Sequence, residues 1–308
     1  MMKTALNKKI TSKDGSNIYY RYDSRKGSSK PVLVFLHGWV MNHTMWEDTR
    51  KLFSKKGYPT LTMDIRGHGL SQSRNLEFAS AVSDLSRIIS REKIRNVIVI
   101  GYSLGGMIAQ QYYLRHKKIV AGLVLVNTSY KNPMAGLSNA GLVKHLGGKI
   151  FHVIKNDREK RYFVLAMMKI LSGGNHIIKE THDSFLKYFK PRSGDSSNKK
   201  YLDFRKLKNA NEMIIFFEGL LQTGLSSNDL FYAEKAKFNT KDKLRLITCP
   251  TLLISSSNDV LVPLSISKLM HSKIKDSTFA IVKDSTHLSI LQNSRKINSL
   301  IAKFLEKY

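Results

Sequence analysis

The chain has one cysteine, two tryptophans and six prolines in 308 residues, so neither a disulfide scaffold nor a proline-rich extended polymer describes it. The single thiol, Cys249, has no partner within the chain and fits a reducing compartment, so a cytoplasmic protein is expected. The opening segment MMKTALNKKITSKDGSN carries lysines but no apolar h-region, and no signal peptide is expected from it. No uncharged apolar run reaches the roughly 18 residues of a membrane span, so none is expected.

Acidic side chains are also scarce. Twenty-three against 51 basic ones leave a net charge of +28 at pH 7, a balance that by itself suggests an anionic partner. The excess is diffuse, however. Residues 131–240 hold 19 basic and 10 acidic side chains, about the density of the whole chain, and the first 30 residues hold eight and two. The charge therefore predicts no specific nucleic-acid partner, only weak, salt-sensitive attraction to anionic surfaces.

What is present is ordinary globular material, 42% hydrophobic and 24% charged. The length exceeds what one core usually fills, predicting one large domain with an insertion or two domains. Near the N-terminus, Ile10 to Ser12 and Asn17 to Tyr22 flank Asp14-Gly15, a hairpin signal because glycine accepts positive φ. Short β-branched or aliphatic runs follow at Val32 to Leu36, Pro59 to Met63, Val97 to Ile100 and Leu123 to Val126. Helix-length segments separate them, at Met45 to Lys56, Phe78 to Glu92 and Leu104 to His116. In the second of these, Ala81, Leu85, Ile88 and Ile89 recur at helical spacing. Strands apolar on both faces, alternating with helices, predict a parallel sheet covered on both sides.

The alternation stops after Thr128. From about Tyr130 to Thr240 no strand-like run is found, only amphipathic stretches such as Tyr162 to Leu171 and Met213 to Leu221, divided by a polar loop from Pro191 to Lys200. It resumes with a strand at Thr251 to Ile254, a helix near Leu264 to Ile274, a strand near Thr278 to Val282 and a final helix near Ile297 to Leu305. The expected organisation is a core in two parts, 1–129 and 241–308, interrupted by a helical insertion over 130–240.

Gly101-Tyr102-Ser103-Leu104-Gly105 places G-x-S-x-G between a strand and a helix. A serine at the apex of that turn sits in strained backbone with its Oγ above the sheet, and the helix start beneath it offers N–H groups to a developing oxyanion. The competing reading is a purely structural glycine turn. A serine hydroxyl needs a base, and the base needs an orienting carboxylate. Of the ten histidines, His287 follows the last expected strand, and Asp259 follows the strand before it, in Ser257-Asn258-Asp259. Asp259 read blandly is a turn or capping residue, His287 a solvated loop histidine. Asp284 is a rival acid, but it lies three residues before His287 at a strand end, where it is expected to cap the turn. His37-Gly38-Trp39 follows the strand ending at Leu36. An N–H there, together with that of Leu104, supplies two donors for a tetrahedral oxygen, while His37 is expected to brace the loop.

These pieces, with Asp64-Ile65-Arg66-Gly67-His68-Gly69-Leu70-Ser71 and Gly106, resemble the α/β-hydrolase fold, capped serine esterase type. The resemblance spans roughly the first 130 and last 60 residues. It implies a mostly parallel eight-stranded sheet flanked by helices, with Ser103 as nucleophile, His287 as base and Asp259 as acid. It also implies Trp39 and Leu104 as backbone oxyanion donors, no cofactor and no metal. Asp64, Arg66 and His68 become loop-bracing residues, with contact between His68 and substrate the alternative. Two departures stand out: Ser256 three residues before the acid and Thr286 before the histidine, where members often have glycine. The family's other acid position, after the strand ending near Val126, holds Asn127-Thr128.

In such proteins the insertion is a helical lid. Here it carries Phe163, Met167, Met213 and Phe217, which pack the lid onto the core or, with Trp39, line a pocket for an apolar acyl or aryl group of a small-molecule substrate. The expected activity is hydrolysis of a small to medium carboxylic ester, lactone or thioester through an acyl-enzyme. The alternatives are carbon–carbon bond hydrolysis, a lyase step or perhydrolysis on the same triad, or a small-ligand sensor.

Overall fold

The computed structural model describes residues 6–131 and 238–308, apart from 26, 40, 72, 74–76 and 260, together with 189–191 and 200–202. The strands β1 (Leu6–Thr11) and β2 (Asn17–Asp23) form the expected antiparallel hairpin, with Gly15 at φ +78° in its turn. Then come β3 (Val32–Leu36), a 3₁₀ turn (His43–Trp46), α1 (Glu47–Lys55), β4 (Thr60–Met63) and α2 (Phe78–Arg91). The helix starts late relative to expectation because Asn42 caps the 3₁₀ turn, its Oδ1 accepting the Thr44 N–H at 3.0 Å. The first half closes with β5 (Val97–Tyr102), α3 (Leu104–Arg115) and β6 (Val120–Val126).

A difference lies inside the expected insertion. Residues 189–191 form β7 (Phe189–Pro191) and residues 200–202 form β8 (Lys200–Leu202), paired antiparallel with Pro191 opposite Lys200. Strand residues therefore stand at both ends of the polar segment, where the sequence suggested none. Three-residue strands, one containing proline, are too short to show a period of two in sequence. Residues 132–188, 192–199 and 203–237 of that insertion, including Phe163, Met167, Met213 and Phe217, lie outside the described residues.

The second half adds β9 (Thr251–Ser256), α4 (Leu264–Lys273), β10 (Ser277–Val282), α5 (Ser289–Gln292) and α6 (Ser294–Leu305). Eight strands make one sheet in the order β1-β2-β4-β3-β5-β6-β9-β10. From β4 to β10 all neighbours are parallel; β1 and β2 form the antiparallel edge.

Alternation along the strands sorts the core into two layers. Leu33, Phe35, Ile98, Ile100, Val124, Leu252 and Ile254 pack with Trp46, Phe53 and the α6 residues Ile297 and Ile301. Val34, Leu36, Val97, Val99, Leu123, Leu125 and Leu253 pack on the other face against α2, α3 and α4 through Leu85, Ile88, Ile108 and Met270. Burying each such aliphatic side chain contributes about 1.5–3 kcal/mol, which holds both helical layers to the sheet. Because the central strands are parallel, their carboxyl ends share one edge, and the loops beyond β3, β5, β6, β9 and β10 converge there.

Candidate functional site

Ser103 sits between β5 and α3 with φ 50° and ψ −115°, a left-handed conformation that a non-glycine residue adopts at an energetic cost. The turn is possible because of its glycines. A Cβ on Gly105 would run into the Leu36 carbonyl, and one on Gly101 into the Gly105 backbone. From the β6 side, Thr128 Oγ1 donates to the Ser103 carbonyl at 2.6 Å.

Ser103 Oγ lies 3.0 Å from His287 Nε2, and His287 Nδ1 lies 2.7 Å from Asp259 Oδ2. The other carboxylate oxygen of Asp259 accepts the N–H groups of Leu261 and Val262 at 2.9 and 2.8 Å, so the acid is held from both sides. Asp259 is buried and its side chain 1% exposed, so its bond to the imidazole is shielded from water. With the Nδ1 proton directed at Asp259, Nε2 is left to accept the serine proton. Asp284, the rival acid, is exposed in the turn after β10 with φ 52°, and its N–H is bound by Ser257 Oγ.

The other sequence-derived residues fall around this chain of bonds. Leu104 is the first residue of α3, where helical N–H groups have no intrahelical acceptor. Trp39 is half-buried and packs against both core layers. Its loop lies against the Ser103 turn, since a Cβ built on Gly38 would come 3.4 Å from Ser103 Cβ and 2.6 Å from the Tyr102 ring. Among the described residues no cluster of three or more His, Cys, Asp or Glu side chains could hold a metal ion, and no helix is long and apolar enough to cross a membrane.

The Asp64 to Ser71 loop is a buried brace. Asp64 Oδ1 accepts from the His43 N–H and contacts His43 Nδ1, Oδ2 accepts from the Leu70 N–H, and the Asp64 carbonyl accepts from Ser71 Oγ. Although burial opposes it, the neighbouring His43 and these donors hold the Asp64 carboxyl below its ordinary pKa. Arg66 forks onto Asp84 and reaches Asp14, and the Arg66 guanidinium holds the Asp14 carboxyl well below the usual range. His68 is buried, Nδ1 3.0 Å from the Arg66 carbonyl, with its ring on that of His37.

His37 is fully buried, and its Nε2 accepts the Ile65 N–H at 2.9 Å. Burial first, and the adjacent His68 second, lower its pKa from 6.5 to about 3. The unfolded chain takes up this proton near pH 6.5, whereas the folded chain resists it. Stability through His37 is therefore complete above that pH and is lost as pH falls toward the folded value. Between pH 7 and pH 5 this amounts to about 2 kcal/mol. Urea unfolding of His37→Gln at both pH values is expected to show a drop smaller than wild type by about that amount; equal drops would assign the acid sensitivity elsewhere.

Tyr102 and Asn127, which touch the site, were not among the sequence candidates. Tyr102 Oη donates to the His287 carbonyl at 2.6 Å, and Asn127 Nδ2 lies 2.8 Å from the same oxygen. The signal available was the asparagine standing at the alternative acid position.

Comparison with known proteins agrees with this architecture. A family model described as alpha/beta hydrolase fold matches residues 31–294. The AB hydrolase superfamily protein YisY of Bacillus subtilis is 25% identical over 285 residues, covering 90% of this chain and 92% of that protein. Proline iminopeptidase PfmaB of Pestalotiopsis fici is 28% identical over 316 residues, covering 96% and 98%. The crystal structure of the enol-lactonase from Burkholderia xenovorans LB400 matches with a TM-score of 0.66 at 17% identity, covering 97% of this chain and 99% of that one, a likeness of fold alone. With its sheet order, its strand-turn-helix at Ser103 and a family match over most of its length, the chain belongs to the α/β hydrolase fold family.

Proposed function

We propose that this protein is a cofactor-independent serine hydrolase that cleaves a small to medium carboxylic ester, lactone or thioester through an acyl-enzyme. The observation that carries the reading is the unbroken chain from Ser103 Oγ through His287 to Asp259, at 3.0 and 2.7 Å, with the serine on strained backbone at a helix start. Ser103 Oγ attacks the carbonyl carbon as His287 Nε2 takes its proton, and the oxygen becomes an anion facing the N–H groups of Trp39 and Leu104. Collapse expels the alcohol or thiol, which receives the proton from Nε2. Water then loses a proton to the same nitrogen and attacks the acyl-enzyme, and as the bond to Ser103 breaks its Oγ recovers that proton and the acid is released. The proposal extends to a lid over 130–240 whose Met and Phe residues favour an apolar acyl or aryl group.

A fluorophosphonate tests it directly. The serine oxygen displaces fluoride from phosphorus, so a competent site gains the phosphonyl mass on the peptide bearing Ser103 at a rate that Ser103→Ala abolishes. Folded protein that takes no label would favour a ligand sensor instead.

A further inference from the structure

The bonds around Asn127 do more than close a strand end. Asn127 is buried, 1% exposed, and follows β6 in the left-handed region with φ 44°. Its own N–H is held by the Ile254 carbonyl of β9 at 2.8 Å, which fixes where its side chain starts. The side-chain Nδ2 then faces three groups within 3.0 Å: the His287 carbonyl at 2.8 Å, Ser289 Oγ at 2.9 Å and Ser256 Oγ at 3.0 Å. Ser256 Oγ in turn donates to Asn127 Oδ1 at 3.2 Å. One amide thus ties the loop carrying the base to the strand that leads into the acid.

The second donor on the His287 carbonyl, Tyr102 Oη, comes from the residue preceding the nucleophile, and the Tyr102 ring packs on the imidazole with centroids 5.3 Å apart. Two donors on one carbonyl leave the His287 backbone little freedom, and the imidazole swings from that backbone. The arrangement also gives Ser256 a role: its fully buried hydroxyl both meets and is met by the Asn127 amide. An aspartate at 127 would set carboxylate lone pairs against the His287 carbonyl oxygen, so here this position suits a donor and not an acid.

We propose that Asn127, seconded by Tyr102, is a positioning residue that holds His287 at the height where Nε2 meets Ser103 and Nδ1 meets Asp259. The proposal rests on the serine-hydrolase reading above. Its mechanism is orientation: a displacement of about 1 Å in a reacting group can cost on the order of a hundredfold in rate.

Asn127→Gly is the appropriate deletion, because glycine keeps the left-handed backbone without strain. Active sites are counted by fluorophosphonate titration, and kcat and KM are measured per labelled site with p-nitrophenyl butyrate. The expected result is a fall in kcat and in labelling rate of about 10- to 100-fold with KM within about threefold of wild type, beyond any loss of stability seen in urea. Tyr102→Phe removes one oxygen and keeps the ring, and is expected to lower kcat by about three- to tenfold. It carries the test alone if Asn127→Gly does not fold. Wild-type kcat per labelled site in the folded variants would overturn the positioning role while leaving the hydrolase reading in place. A wild-type protein that takes no label would remove both.

Discussion

Ser103→Ala is expected to lower kcat for p-nitrophenyl butyrate by about 10⁴-fold or more while leaving the protein folded. The substitution removes one oxygen, which is the atom 3.0 Å from His287 Nε2. Without it no acyl-enzyme forms, and hydrolysis falls back on water positioned by the remaining groups. What survives is the contribution of the oxyanion donors and of substrate binding, typically a residual 10³- to 10⁴-fold above the uncatalysed rate. The stability change should be small, because alanine occupies the same backbone conformation with similar strain and only one partly exposed hydrogen bond is lost, worth about 1 kcal/mol. Unfolding in urea and turnover, measured on the same preparation, separate the two effects. Wild-type turnover in this variant would show that Ser103 is not the nucleophile.

The elements that could be read from the chain are those whose information is local. The strands β3, β5, β6 and β9 announce themselves as short apolar runs because both faces of a central parallel strand are buried, and the structure buries every position of β3, β5 and β9. Ser103 was readable because a strand, two glycines and a helix start must be contiguous to make its turn. Asp259 and His287 were expected from order along the chain, each just beyond a strand, and the structure sets their side chains 2.7 Å apart. The preference for Asp259 over Asp284 rested on position relative to the strands: Asp284 is closer to His287 in sequence, and in the structure it is exposed in the turn after β10 while Asp259 Oδ2 lies 2.7 Å from His287 Nδ1.

Contacts between distant segments were not legible. Tyr102 and Asn127 reach the His287 carbonyl from 185 and 160 positions away, and apart from the asparagine standing at the alternative acid position no local pattern marks that meeting. The β7–β8 hairpin was missed for the opposite reason, being local but too short to carry a period.

The largest stability effect is expected at Asp84, whose importance was equally invisible in the α2 sequence. Arg66 is 1% exposed and its guanidinium cannot lose its charge, so the charge must be balanced where it lies. Asp84 does this with two bonds, Arg66 Nε to Oδ2 at 2.8 Å and Nη2 to Oδ1 at 3.0 Å, and is itself fully buried. Ser12 Oγ, 2.5 Å from Asp84 Oδ1 and 3.0 Å from Arg66 Nη2, closes the network onto the β1–β2 turn. Asp84→Ala leaves a buried cation facing a cavity, and breaking a buried pair from one side typically costs about 3–5 kcal/mol, against a total stability of about 5–15 kcal/mol for a folded protein. Asp14 offers the internal control. It meets the same guanidinium at 2.9 Å, but its side chain is 33% exposed, so water compensates its loss. Asp14→Asn is therefore expected to cost no more than about 1 kcal/mol. Extrapolated unfolding free energies of the two variants should differ by at least about 2 kcal/mol. Equal costs would mean that burial does not set the value of these ion pairs, and that Arg66 draws its compensation from elsewhere in the loop.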